Sequence, residues 1–220
     1  MRALADLMYP EPCIGCGILV RGGLCKECTA RLNYLEPPLC GRCGAPGAGG
    51  TDCGQCWGRV LHFDRAMQCV AFRDMGRAAV LRLKYRGQRS LAEVIARLLV
   101  ERAAALSPRA LTWVPTDPGR LARRGFDQAA LITIELARLI EVPCAPLLHR
   151  VRKTVPQVGL DTAKRRENLM GAFRCRIPSP SEVCVVDDVY TTGASMSEAA
   201  RALKAAGAQR VMALAFARTE

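Results

Sequence analysis

Four Cys-x-x-Cys pairs crowd the first 60 residues: Cys13/Cys16, Cys25/Cys28, Cys40/Cys43 and Cys53/Cys56. No other feature restricts the fold of this chain as tightly. A Cys-x-x-Cys turn presents two thiolates to one tetrahedral ion, and two such turns close a four-sulfur site with no open position for a substrate. The pairs also repeat. Cys13, Cys16 and Gly17 precede Cys25 and Cys28, and 27 residues later Cys40, Cys43 and Gly44 precede Cys53 and Cys56. The simplest assignment is sequential, with one structural Zn²⁺ on Cys13, Cys16, Cys25 and Cys28 and a second on Cys40, Cys43, Cys53 and Cys56. A cross-braced pairing, first with third and second with fourth, satisfies the same spacing. Large apolar residues are sparse here, so metal must supply much of the folding free energy. Redox chemistry at Cys-x-x-Cys needs a thioredoxin-like βαβ context that these residues lack.

Disulfides are the other use of so many cysteines, and they belong to oxidising compartments. The start of the chain carries Arg2 and Asp6 and has no apolar h-region, so it does not read as a secretory signal. No apolar run reaches the ~20 residues that span a bilayer. The expectation is a cytoplasmic protein without a membrane span. Its net charge of +12 is unevenly spread, with six basic and five acidic side chains in residues 1–60 against 26 and 15 in residues 61–220. Eight thiolates and two Zn²⁺ would make the first part mildly acidic. The basic remainder suits phosphate-rich ligands, nucleic acid included, although a solvated Arg-rich surface gives the same count. The expected division is therefore a cysteine-rich module over 1–60 and an α/β domain over 61–220.

The second strong feature is residues 183–195. A short β-branched run, 183–186, reads as a parallel strand buried on both faces. It ends in Asp187 and Asp188, passes Val189 and Tyr190, and reaches Thr191, Thr192, Gly193, Ala194 and Ser195. A helix is expected over 196–206. Strand, hydroxyl-rich turn and helix N-terminus together make an anion site. Thr191, Thr192 and Ser195 supply hydroxyls, and Gly193 lets successive N–H groups turn inward. The two acids repel a phosphate and suit ribose hydroxyls or Mg²⁺. A plain strand–turn–helix would use one acid and one hydroxyl as caps and leave the rest unexplained. The stretch resembles the phosphoribosyl-pyrophosphate (PRPP) signature of type I phosphoribosyltransferases.

Between these features strand and helix alternate: strands over 67–72, 111–115, 142–149 and 211–216, helices over 76–85, 91–105 and 129–140. Pro143 and Pro146 place the 142–149 strand at a sheet edge. A mainly parallel sheet with flanking helices follows, with ligand at the carboxyl ends of the strands. Two basic segments stand out. Residues 117–128 form a loop with Arg120, Arg123, Arg124 and Gly125, and guanidinium forks suit pyrophosphate oxygens. Residues 150–168 include Gln157, Lys164, Arg165 and Asn168, and read either as a mobile cover over a phosphorylated substrate or as a solvated helix. Lys84-Tyr85-Arg86-Gly87 reads equally as a helix C-terminus complementing its dipole or as a ligand contact.

The cysteine repeat resembles a double zinc ribbon. Joined to the PRPP stretch, it makes the whole chain similar to the ComF family of bacterial competence proteins. The likeness also rests on Leu83-Lys84-Tyr85-Arg86-Gly87, on Arg120-x-x-x-Arg124-Gly125-Phe126-Asp127-Gln128-Ala129, on Gln157-x-x-Leu160 and on Arg165-x-x-Asn168-x-x-Gly171-Ala172-Phe173. Asp127 stands where the family usually has Asn, and the family's Pro-Val-Pro-Leu run reads Trp113-Val114-Pro115-Thr116 here, followed by Asp117. The resemblance implies a type I phosphoribosyltransferase-like sheet behind the zinc ribbons. It implies Asp187 and Asp188 as the catalytic positions, residues 187–195 as the PRPP site with Mg²⁺, the arginine loop as the pyrophosphate contact, and Gln157, Lys164, Arg165 and Asn168 as the lid. It points to handling of incoming single-stranded DNA in natural transformation, beside a competence helicase or another DNA-uptake protein. The alternatives are a metabolic, amidophosphoribosyltransferase-like enzyme with an unidentified acceptor, or a nucleotide sensor without turnover.

Overall fold

The computed structural model describes residues 10–47, 49–51, 53–152 and 169–219. Its centre is a four-stranded sheet of β3 (Arg65–Ala71), β4 (Leu111–Trp113), β7 (Glu182–Tyr190) and β8 (Arg210–Arg218), in the order β3-β8-β7-β4. Every pairing is parallel. A parallel sheet needs cover on both faces, and the strands carry it in their apolar alternation. Cys184 and Val186 of β7 and Met212, Leu214 and Phe216 of β8 join one buried cluster with α3 (Leu91–Leu106) and α5 (Gln128–Ile140). Val183, Val185, Val211, Ala213 and Ala215 join a second with α6 (Ala194–Ala205). This is the mainly parallel sheet with flanking helices that the sequence implies.

The cysteine-rich segment is built into this core. It contains the short strands β1 (Glu11–Pro12) and β2 (Leu19–Val20) and the helix α1 (Lys26–Ala30). Cys13, Cys25 and Cys28 pack in the first cluster, and Cys40, Cys43, Cys53 and Cys56 in the second. Between them the chain runs along the free edge of β3. Leu35 N–H donates to the Cys69 carbonyl, Ala71 N–H to Asn33, and Ala66 N–H to Arg42. An unpaired edge strand is an aggregation template, and here the metal-binding segment covers it.

Three expectations need correction. The arginine segment is not a loop: Pro118–Arg124 is a helix, α4. Asp117 accepts from Gly119 and Arg120 N–H, Pro118 opens the first turn, and Gly125 closes it at φ 77°. Caps at both ends stabilise a helix too short to form alone. Residues 142–149 do not form one edge strand. Cys144 bridges Leu111 of β4, and the chain then leaves to form β5 (Leu148–Arg150), which pairs antiparallel with β6 (Phe173–Cys175). Pro143 and Pro146 lack the N–H groups that would continue the ladder. Finally, β7 does not stop before its acids. It pairs with β8 out to Tyr190 opposite Arg218, so Asp187 and Asp188 are strand residues. Gln157, Lys164, Arg165 and Asn168 lie outside the described residues.

Candidate functional site

A cleft of about 250 Å³ opens at the carboxyl ends of β4 and β7. It brings together Asp187, Asp188, Val189, Thr191 and Ser195 with Arg120, Arg123 and Arg124. The two groups lie more than 60 positions apart in the chain, and the sequence pattern assigns them complementary parts of one ligand. Five others, Gly193 among them, do not line it. Tyr190 is buried at 1 % exposure and faces inward, Thr192 and Ala194 form the turn, and Gly125 ends α4. Gly193 has its own reason. Its φ is 74°, and an added Cβ would stand 2.4 Å from the Tyr190 hydroxyl, so both conformation and space demand glycine.

Asp188 is 3 % exposed, and its carboxylate lies 2.8 Å from Lys84 Nζ at the end of α2 (Asp74–Tyr85). The two acids are therefore not equivalent: among the described residues Asp188 forms an ion pair and Asp187 does not. Burial, then the Asp188 carboxylate, push the Asp187 carboxyl well above the usual carboxylate range, against the pull of Lys84. Its Oδ1 accepts from Asp188 N–H at 2.8 Å. The acids that depart from the family pattern are also accounted for. Asp117 caps α4, and Asp127 caps α5 by accepting from Ala129 and Ala130 N–H while its second oxygen accepts from Thr116 N–H at 2.8 Å. Asp127 uses both oxygens and Asp117 its Oδ1 to hold a wall of the cleft.

Lys84, Tyr85, Gln128 and Arg150 also line the cleft. Lys84 sits in the last turn of α2, and Arg150 opens the basic segment at 150–168. A groove of about 480 Å³ shares Lys84, Tyr85 and the three arginines with the cleft and extends past Gly87 and Phe126. Tyr85 is 71 % exposed there, with the Arg124 guanidinium 5.6 Å from its ring centre, and Arg89 lies 4.6 Å from that of Phe126.

The cysteines gather as two sets of four, Cys13, Cys16, Cys25 and Cys28, and Cys40, Cys43, Cys53 and Cys56, with all ligand atoms of a set within 4.8 Å of one another. Sulfur separations of 3.7 Å for Cys16–Cys25, 3.8 Å for Cys40–Cys56 and 3.5 Å for Cys43–Cys53 match the edge of about 3.8 Å that four Zn–S bonds near 2.3 Å require. Backbone N–H groups help the thiolates. Burial alone would raise Cys13, but the amides of Cys16, Cys25 and Gly15 outweigh it and bring the thiol down to about 6. The glycines after each first knuckle, Gly17 and Gly44, adopt φ of 80° and 72°, which explains their recurrence in the repeat. The donor set and its spacing fit structural zinc.

A double zinc ribbon family model matches residues 4–57. The DNA utilization protein YhgH of Salmonella typhimurium is 32 % identical over 209 residues, which are 90 % of this chain and 91 % of that protein. The chain belongs to the ComF family. Other relatives are competence protein F of Haemophilus influenzae, 29 % identical over 91 % of this chain and 92 % of its own, and competence protein ComFC of Streptococcus pneumoniae, 24 % identical over 89 % and 87 %. Among solved structures, a purine phosphoribosyltransferase from Pyrococcus horikoshii is 13 % identical, with a TM-score of 0.37 over 59 % of this chain and 83 % of that one. No described helix of this ComF chain is long and apolar enough to cross a membrane.

Proposed function

We propose that this ComF protein binds PRPP or a phosphoribosyl nucleotide in the cleft, in the service of DNA uptake. The observation that carries the reading is the meeting of Asp187, Thr191 and Ser195 with the α4 arginines in one cavity. Thr191, Ser195 and the N-terminus of α6 take the 5′-phosphate, the Asp187 side takes the ribose hydroxyls, and Arg120, Arg123 and Arg124 take the pyrophosphate. Mg²⁺ would arrive with the diphosphate and neutralise its charge, with Asp187 as the protein carboxylate free to meet it. Arginine and metal together stabilise a departing pyrophosphate, which is the main contribution such a site makes to phosphoribosyl transfer. Calorimetric titration with PRPP and Mg²⁺ tests binding: no heat at millimolar ligand, or equal affinity in Asp187→Asn, removes the reading. Incubation with nucleobases or ammonia, followed by a pyrophosphate assay, separates a transferase from a sensor.

The groove beside the cleft favours single-stranded DNA as a further partner. Exposed Tyr85 offers a stacking face, and Arg120, Arg123 and Arg124 line the path with positive charge. The names of the relatives, competence protein and DNA utilization protein, agree with that use. Such binding should weaken steeply as salt rises. A gel-shift series at low salt with no shifted strand, or one unaffected by Tyr85→Ala, counts against it.

A further inference from the structure

The second cysteine cluster touches the turn after β7 through two arginines that the proposed ligand never meets. Arg59, three residues past Cys56, donates to the Thr192 carbonyl and to the Gln55 carbonyl at 2.9 Å. Arg218, at the end of β8, is 3 % exposed. It donates to the Cys43 carbonyl at 2.7 Å, to Gln68 Oε1 at 3.0 Å and to Gln55 Oε1 at 2.5 Å, and lies 3.8 Å from Cys43 Sγ. Its guanidinium also stacks 4.6 Å from the centre of the Tyr190 ring. Tyr190 in turn lies directly under Gly193, whose missing side chain leaves room only for the tyrosine hydroxyl. The path from cluster to turn is continuous: Cys43 and Gln55, Arg218, Tyr190, Gly193.

A buried guanidinium is costly without compensation. Among the described residues no carboxylate forms an ion pair with Arg218. Four thiolates around one Zn²⁺ carry a net charge of about −2, and that cluster is the negative group nearest at hand. Three of the oxygens that hold Arg218 and Arg59, the Cys43 and Gln55 carbonyls and Gln55 Oε1, belong to the two knuckles. One ion bound by all four thiolates would fix the separation of those knuckles. Among the described residues no hydrogen bond joins the first cluster to the 191–195 turn, and Gly15 beside that cluster lies against Met75 on α2.

We infer that Arg218 and Arg59 are positioning residues for the turn at 191–195, and that through them the second cluster, and not the first, sets the geometry of that turn. The inference rests on reading the turn as the anion site, yet its test needs no ligand. Amide hydrogen exchange of the full-length protein should be about tenfold faster across residues 191–195 in Arg218→Met than in wild type. Zinc should stay at two per chain, and exchange in α3 should not change. Arg218→Lys, which keeps the charge, should recover most of the protection. Wild-type exchange in Arg218→Met overturns the inference, as does an increase spread evenly over the whole sheet. If Arg218→Met does not fold, Arg59→Met asks the same question from the other side of the turn, where the two lost hydrogen bonds, to the Gln55 and Thr192 carbonyls, leave the buried Arg218 network in place. If wild type fails to bind PRPP while the exchange contrast holds, the proposed function falls and the positioning stands.

Discussion

At the scale of single residues, the two aspartates divide their labour. The Asp187 carboxyl sits well above its ordinary value of 3.8 because of burial and its neighbour. A raised folded value means that the folded state holds the proton more tightly than the unfolded chain. The stability this contributes is fully present below the ordinary carboxylate range and is lost as pH climbs through the raised value. Asp187→Asn cannot ionise, so it should be more stable than wild type at pH 8, by on the order of 1 kcal/mol, and equal to it near pH 4. The same variant should bind PRPP at least about tenfold more weakly, the loss expected when a hydrogen bond to a charged group is removed. Lys84→Met should behave oppositely. It strips the cation from Asp188 and should cost about 2–3 kcal/mol in denaturant unfolding at pH 8. Equal stability of both variants at both pH values would show that the pair is not coupled as described.

At the scale of elements, what the sequence revealed depended on whether the signal was local. β7 and β8 were legible because unbroken β-branched and apolar runs admit few other uses. The Cys-x-x-Cys turns were legible because metal chemistry fixes their spacing. Helix α4 was not, since its seven residues carry no apolar period and its stability lies in two caps that read as loop residues. Arg59 and Arg218 were invisible for another reason: the hydrogen bonds that tie them across the fold span 133 positions for Arg59 and 150 or more for Arg218, and nothing local marks them. The capping of α4 yields its own prediction. Asp117→Ala removes the N-cap, worth about 1 kcal/mol, and should loosen the arginines enough to weaken PRPP binding several-fold. Asp117→Asn keeps an equally good cap and removes a negative charge from the cleft, so it should tighten binding of the polyanion. Titration of both variants decides the point; if they weaken binding equally, the carboxylate touches the ligand instead of holding the helix.

At the scale of the molecule, the cysteine-rich module acts as the fourth side of the sheet. β4 has Cys144 and its flanks along one edge, and β3 has residues 33–42 along the other. Each structural zinc is worth about 10–16 kcal/mol of folding free energy in isolated modules, which matches or exceeds the roughly 5–15 kcal/mol net stability of a whole domain. Losing the ions should therefore do more than loosen a peripheral knuckle. The chain that pairs with β3 would detach, and a parallel sheet with apolar residues on both faces would present a bare edge. With zinc, thermal unfolding should be one transition independent of protein concentration. With a strong chelator, the midpoint should fall by on the order of 10 °C or more, and light scattering should rise with concentration as β3 edges meet. Returning zinc before heating should restore the first behaviour, whereas Mg²⁺, which prefers oxygen ligands, should not. A chelated protein that stays monomeric with an unchanged midpoint would mean that the sheet closes its own edge, and that the zinc ribbons serve some purpose other than holding it shut.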